Sequence, residues 1–429
     1  MSKWRVYTIG ELVKDKIIAP PMDGNHGDIH PKGNDFVFEG IPFIMASDIK
    51  DGVISFDECK FITKTQADGL RKGFAQEGDV LLTHKATIGR TAIVPKTKYP
   101  YLMLTPQVTY YRVIDTKLLE NRYLKYCFDN DTFQKSLGLW AGAGSTRAYL
   151  GILGQHNLAI KIPCVETQRK IADVLSVLDN KIACNNRINT ELEAMAKTLY
   201  DYWFVQFDFP DANGKPYKTS GGKMEYNTTL KREIPTGWRA SNILSLANLL
   251  GGGTPTKTKP EYWNGSIPFF TPTDSDKNIY SLNTQDSITE LGLKNSSTRL
   301  FEKNTIFITA RGSVGRLALN AVPMAMNQSC YALKAKQGVS FAFLYFITKE
   351  LIHHLEVKAT GSVFNSIISN DIEYTYLALP EDNDLIDKYA KKTELAFAKI
   401  ELLTKENQHL IALRDWLLPL LMNGQVKVK

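Results

Sequence analysis

Between Glu166 and Phe207 the chain contains neither Gly nor Pro. Stepping alternately by four and three picks out Ile171, Leu175, Leu178, Ile182, Asn185, Asn189, Leu192, Ala196, Leu199 and Trp203. That spacing marks a helix whose apolar seam faces another helix. At about 1.5 Å per residue such a rod is roughly 55–60 Å long, and alone it cannot bury its own stripe. A second stretch free of Gly and Pro, Leu385 to Leu418, supplies a partner. Its seam reads Tyr389, Thr393, Ala396, Ile400, Leu403, Asn407, Leu410, Arg414, Leu417 and Leu421, each 218 positions after its counterpart. Ile182 thus falls on Ile400, Asn189 on Asn407 and Leu199 on Leu417. An Asn within an apolar seam fixes register at some cost in stability. Two matched rods from one chain are expected to pack as an antiparallel pair; the plainer alternative is two ordinary amphipathic core helices.

The repeat extends beyond the rods. Trp4-Arg5 returns as Trp238-Arg239, and Ile41-Pro42-Phe43 with Asp48 returns as Ile267-Pro268-Phe269 with Asp274. Thr83 to Arg90 answers to Thr309 to Arg316, Gln107 to Gln328, and Gly144 to Pro163 answers to Gly361 to Pro380. Slowly drifting offsets of 234, 226, 221 and 217 describe one ancestral unit duplicated in tandem. The expected organisation is a globule over 1–165, a spacer helix over 166–207, a linker over 208–237 and a second globule over 238–383. A C-terminal spacer helix and tail over 384–429 follow. Within the globules, Val80–Thr83, Thr91–Val94, Gln107–Tyr111 and Thr305–Thr309 are strand-like, whereas Leu118–Leu137 and Phe341–Leu355 are helical. The fold class is α+β: two α/β domains, each with a twisted, mainly antiparallel sheet, separated by a pair of long antiparallel coiled-coil helices under an internal pseudo-twofold repeat. Thr167 and Asp384 are expected to cap the rods, Asn423-Gly424 to stop the second, and Pro419 to end or kink it early.

The formal charge of +7 over 429 residues is weak evidence for nucleic acid. The rods balance acid against base, as does the second globule, so any DNA contact must come from local loops. No apolar run approaches the ~20 residues that span a bilayer. Cys59, Cys127, Cys164, Cys184 and Cys330 form no Cys-x-x-Cys pair; reduced thiols in a cytoplasmic protein are expected.

Two loop pairs carry the candidate chemistry. Lys85-Ala86-Thr87-Ile88-Gly89-Arg90 and Arg311-Gly312-Ser313-Val314-Gly315-Arg316 each combine a strand end, Gly, a hydroxyl and two cations. Such loops bring backbone amides and cations to phosphates, and Arg forks onto guanine; a turn with solvated cations is the alternative. The second pair is Gly144-Ser145-Thr146-Arg147, with Arg147 suited to guanine, and Gly361-Ser362-Val363-Phe364-Asn365, with Asn365 suited to adenine. Gly251-Gly252-Gly253-Thr254-Pro255-Thr256-Lys257 occurs only in the second half, where Thr254 and Lys257 are candidate contacts. The first half has Ala19-Pro20-Pro21-Met22-Asp23-Gly24 there, a divergence that two domains reading different sequences need. The candidate DNA contacts are therefore Lys85, Thr87, Arg90, Gln107, Ser145, Arg147, Thr254, Lys257, Arg311, Ser313, Arg316, Gln328, Ser362 and Asn365. The helix-pair interface comprises Leu175, Leu178, Ile182, Asn189, Leu192, Leu199, Ile400, Leu403, Asn407, Leu410 and Leu417. No metal-ligand spacing, phosphate-binding Gly-Lys-Ser/Thr ending or Pro-Pro-aromatic methyltransferase motif is present.

These features together resemble the specificity subunit of type I restriction-modification systems. The resemblance rests on Gly252-Gly253-Thr254-Pro255-Thr256, Pro260-Glu261-Tyr262-Trp263, Ile267-Pro268-Phe269, Gly312-Ser313-Val314-Gly315, Phe209-Pro210 with Gly214-Lys215-Pro216-Tyr217, and Ile234-Pro235-Thr236-Gly237-Trp238. It covers essentially the whole chain. It implies a non-catalytic subunit in which each globule reads one half of a bipartite duplex DNA site. The rods then act as a ruler and dock two methyltransferase subunits carrying S-adenosylmethionine; restriction subunits using ATP and Mg complete the assembly. A self-contained methyltransferase or nuclease, and a coiled-coil scaffold that does not bind DNA, are the competing classes.

Overall fold

The computed structural model describes residues 4–142, 148–275, 278–358 and 366–428. The chain forms two compact units, Met1–Lys181 with Leu410–Lys429, and Ile182–His409. The division falls inside both long helices, Val165–Tyr200 and Asp384–Met422. Positions 165 and 384 therefore mark where the helices start, while each compact unit takes part of both.

In the first unit a four-stranded sheet runs in the order Thr91–Ile93, Val80–Thr83, Val108–Tyr111, Met22–Asp23. A second, five-stranded sheet contains Ile41–Ile44 parallel to Leu102–Leu104. In the second unit the order Leu317–Asn320, Ile306–Thr309, Cys330–Ala335, Ala247–Gly251 repeats the first sheet, with Tyr280–Ser281 added at one edge. Trp263–Phe270, parallel to Ala325–Met326, repeats the second. Among the described residues each unit thus has two larger sheets, each accompanied by two-stranded pairings, where one mainly antiparallel sheet was expected. The tight turn at Pro106–Gln107, and its equivalent at Gln328–Ser329, hands the chain from one sheet to the other. Val80, Leu81 and Leu82, like Ile306, Phe307 and Ile308, are fully buried. Apolar residues on successive positions are required of a strand covered on both faces.

The helical region after Tyr111 is two helices, Asn121–Asp129 and Asp131–Trp140. Asn130 breaks them with an extended ψ of 137°, and its side chain caps the second by accepting from Thr132 N at 2.9 Å. Phe341–Lys358 is a single helix, as expected.

All twenty seam positions of the long helices are buried or half-buried. In the first unit, Ile171 and Leu175 join Leu418, Leu421 and Met422 in one apolar cluster, with Leu417 packed against it. Arg414 Nη1 donates to Asp179 at 3.0 Å, and Tyr126 Oη donates to the same carboxylate at 2.6 Å. In the second unit, Asn185 Nδ2 donates to Asn407 Oδ1 and to Glu406 Oε2, both at 2.8 Å. Asn189 lies against Thr404 at 3.5 Å, and Tyr389 Oη donates to Ala196 O at 2.9 Å. Partner numbers fall as the first helix rises, so the pair is antiparallel. Asn407 Nδ2 also donates to Asn186 Oδ1 at 2.7 Å. Shifting and exchanging that pair by the repeat offset gives Asn189–Thr404, so the seam obeys its own pseudo-twofold. Leu192 and Leu199 pack against the cluster holding Tyr200, Phe343, Tyr389 and Ile400.

The first long helix begins at Val165, two residues before the expected cap Thr167; Gln168 N donates to Cys164 O at 3.1 Å. Asp384 lies in the first turn of the second helix, where Asp387 N donates to Asn383 O at 2.9 Å. That helix continues through Pro419 to Met422. In its last turn, a proline removes one bond from a ladder that is about to end anyway. Gly424, at φ +71°, follows as the expected stop. The 208–237 stretch is ordered: Phe209 stacks on Tyr217 and Trp238, and Met224–Asn227 pairs with Arg232–Pro235 as a hairpin.

Candidate nucleic-acid interface

The two cation-bearing loops share one conformation. In the first unit Thr83 Oγ1 accepts from Arg90 N at 2.9 Å, and Gly89 N donates to Thr83 O at 2.9 Å. In the second, Thr309 Oγ1 accepts from Arg316 N at 2.9 Å, and Gly315 N donates to Thr309 O at 2.9 Å. Gly89 has φ +93°, and a Cβ there would lie 2.2 Å from Gln134 Oε1. The left-handed turn favours glycine here, and a larger residue would also push aside the Gln134 amide.

Lys85 and Thr87 are exposed at the tip of the first loop, as is Arg311 in the second, while Ser313 is half-buried. Lys85 forms an isolated bridge with Tyr149, and Arg311 with Ser366. Leu150 N donates to His84 O at 3.1 Å, and Ile367 N to Ala310 O at 2.9 Å. In each unit, then, the cationic loop is stitched to the segment that follows the second candidate loop. Ser145, Arg147, Ser362 and Asn365 themselves lie outside the described residues. Lys85 Nζ sits 5.8 Å from the centre of the Tyr149 ring.

Arg90 and Arg316 are placed differently from the loop-tip cations. Arg90 Nη1 donates to Ala46 O at 3.3 Å and Ile49 O at 3.1 Å. Arg316 Nη1 donates to Ser275 O at 3.0 Å, and Ser275 is the repeat equivalent of Ile49. Each guanidinium fastens its loop to the residue just after a short 3₁₀ segment, Ala46–Asp48 or Pro272–Asp274, and Arg90 also holds the first residue of that segment.

Backbone pairing sets the register of the repeat beyond this loop. Thr105 N donates to Ile44 O, and Asn327 N to Phe270 O, both at 3.0 Å. His84 N donates to Gln107 O, and Ala310 N to Ser329 O. These bonds fix an offset of 222, so Gln107 stands opposite Ser329 and Gln328 opposite Pro106. The two glutamines matched by sequence are not structural equivalents; an adjacent identity masked a one-residue slip. Gln328 is exposed and Gln107 half-buried.

The same bookkeeping places the glycine-rich stretch. Asp23 pairs with Thr109, and Gly251 pairs with Tyr331, the equivalent of Thr109. Gly24 therefore takes the place of Gly252. Both cross the same strand end: a Cβ on Gly24 would fall 1.9 Å from Leu104 O, and one on Gly252 2.1 Å from Asn327 O. Asp23-Gly24-Asn25-His26 thus occupies the position of Gly251-Gly252-Gly253-Thr254. Sequence reading missed this because the two strings share only one glycine. Thr254 Oγ1 donates to Gln328 Oε1, and Lys257 is exposed.

In the first unit Asp23 is buried and accepts from Lys72 Nζ, while His26 Nε2 lies 2.9 Å from its other oxygen. Burial pushes that carboxyl up, but Lys72 and His26 outweigh it and hold it below the ordinary range. Asn25 Nδ2 donates to Lys72 O at 2.6 Å, and Asn25 Oδ1 accepts from Arg71 N at 3.1 Å. Beneath the loop, His84 is buried with Nδ1 at 3.0 Å from Leu150 O, and burial holds its pKa down. Among the described residues its Nε2 has no partner. Also among the described residues, no group of three or more His, Cys, Asp or Glu is arranged to hold a metal, and no helix is long and apolar enough to cross a membrane.

The family model for the type I restriction modification DNA specificity domain matches residues 1–194 and 235–410. The HindI specificity subunit of Haemophilus influenzae is 22% identical over 99% of this chain and 100% of its own length. The MjaIX specificity subunit of Methanocaldococcus jannaschii is 28% identical over 82% of this chain and 78% of its own. The crystal structure of a type I restriction-modification S subunit from M. genitalium superposes with a TM-score of 0.53 at 15% identity, covering 98% of this chain and 96% of that one; it shares the fold. With a duplicated unit built on two larger sheets, a matched helix pair and the family signature over both repeats, the chain belongs to the type I restriction-modification DNA specificity family.

Proposed function

We propose that each unit of this specificity subunit contacts one half of a bipartite duplex DNA site, and that the long helices dock methyltransferase subunits. The observation that carries the reading is the paired construction of the loop tips. Lys85 and Arg311 occupy the same place on the same strand end, each stitched to the next candidate loop, in surroundings that otherwise differ. A common cationic scaffold with divergent neighbours suits two readers that grip phosphate alike and select different bases.

The helices add support. At equal register they carry exposed apolar residues outside the seam: Val177 and Leu395 are 66% and 79% exposed, Met195 and Leu413 68% and 43%. Apolar side chains on a helix whose inner face is already covered favour a further protein partner. In this reading the methyltransferase subunits bring S-adenosylmethionine and the chemistry, and restriction subunits bring ATP and Mg. This chain supplies the sequence choice.

The test is exchange of residues 1–160 for the corresponding domain of another family member, followed by mapping of methylated sites. One half of the recognised sequence should change and the other persist. A change in both halves, or in neither, would overturn the modular reading.

A further inference from the structure

Thr254, a candidate base contact in the second unit, has a structural equivalent in the first that the sequence concealed. Strand pairing puts Asp23 opposite Thr109 and Gly251 opposite Tyr331, and counting three residues on brings His26 to the place of Thr254. Gly24 and Gly252 make the same close crossing, so the frames agree at the residue where any slip would produce a steric conflict.

His26 is also held as a reading side chain needs to be. Its ring is 50% exposed, yet Nε2 rests on Asp23, whose side chain is only 5% exposed. Asp23 is held in turn by Lys72, and the loop is tied down by Asn25 through Lys72 O and Arg71 N. A carboxylate on one imidazole nitrogen fixes ring orientation and leaves the other nitrogen to contact a partner. Lys72 and His26 both sit on Asp23, and Asp23, His26 and Lys85 all lie close enough to buried His84 to act on it electrostatically. In the second unit the equivalent of His84 is Ala310, so this polar arrangement belongs to the first unit alone.

We propose that His26 is a DNA-contacting, specificity-determining residue of the first unit, with Asp23 and Lys72 as its positioning residues. The proposal rests on the modular reading of the two units above. The experiment uses the full chain assembled with its methyltransferase subunits, selecting from a randomised duplex library. With His26→Ala, preference at one or two positions of one half-site should be lost, at a cost of roughly tenfold or more in affinity for the wild-type consensus. The other half-site should be unchanged. Asp23→Asn should relax the same positions more weakly, and Thr254→Ala should relax positions in the opposite half. Thermal melting of the isolated chain checks folding; His26→Gln, which keeps a polar tip, should alter the preferred base instead of abolishing preference. An unchanged consensus and affinity in both His26 variants, or relaxation of both halves together, would overturn the assignment. If the wild-type complex selects no bipartite consensus at all, it is the modular reading that fails.

Discussion

The two arginines of the cationic loop differ in what they touch, and that difference gives a sharp prediction. Arg311 is exposed, and among the described residues its side chain makes no hydrogen bond. Arg311→Ala should therefore leave stability within about 0.5 kcal/mol, while weakening DNA binding by about 1–3 kcal/mol if the guanidinium reads a base. That loss is roughly 5- to 150-fold in Kd. Arg90 instead donates from Nη1 to two carbonyls, Ala46 O and Ile49 O. A bond from a charged donor is worth about 1.5–3 kcal/mol when well sheltered. Arg90 is largely solvent-exposed, so the pair is discounted to about 1 kcal/mol in all. In a unit of this size that lowers the melting temperature by about 2–4 °C. Scanning calorimetry on the purified chain, with fluorescence anisotropy on the methyltransferase complex, reads both quantities. Early melting with intact affinity in Arg311→Ala, together with the converse in Arg90→Ala, would refute the division of labour.

Further outcomes follow from the same geometry. Lys85→Ala should weaken binding evenly across sequences and lower the slope of log affinity against log salt by about 1, measured by titration at several ionic strengths. Gly24→Ala drives a Cβ to within 1.9 Å of Leu104 O and should cost on the order of 2–3 kcal/mol, whereas Gly251→Ala, with nothing within 4 Å, should melt close to wild type. Asn407→Leu removes one of the two acceptors of Asn185 Nδ2 and the donor to Asn186 Oδ1, and should cost about 1–3 kcal/mol by denaturant unfolding; the change to Leu at both 185 and 407 should recover part of it while loosening register. At Asp179, burial pushes the carboxyl up, but Lys125, Tyr126 and Arg414 outweigh it and leave it below its ordinary range. A depressed folded pKa gives stability that is present above the unfolded value near pH ~4 and lost as pH falls through the folded one. Asp179→Asn should therefore flatten the acid limb of a stability–pH curve below about pH 4.

Much of this protein was legible without coordinates, for a physical reason. A 4-3 apolar spacing sustained over ten positions can be satisfied only by a long helix with a partner, and the chain contains one matched partner. The positions Leu175, Asn189, Ile400 and Asn407 are accordingly buried. The loop tips were legible as well, because Gly89 and Gly315 answer to a local demand for positive φ that a sequence displays directly. Tertiary pairing decided the rest. Arg90 and Arg311 read alike as loop cations, yet only contact with the carbonyls of Ala46 and Ile49, distant in sequence, shows that Arg90 fastens its own loop. Gln107 and Gln328 are identical residues at nearly the right spacing, but strand hydrogen bonds place them one step out of register. Asp23-Gly24-Asn25-His26 shares almost no letters with Gly251-Gly252-Gly253-Thr254, because the crossing demands one small residue and leaves its neighbours free to diverge. Periodicity and backbone conformation are local and are therefore written in the sequence; the neighbour across a sheet is set by packing between distant segments, and only the folded chain states it.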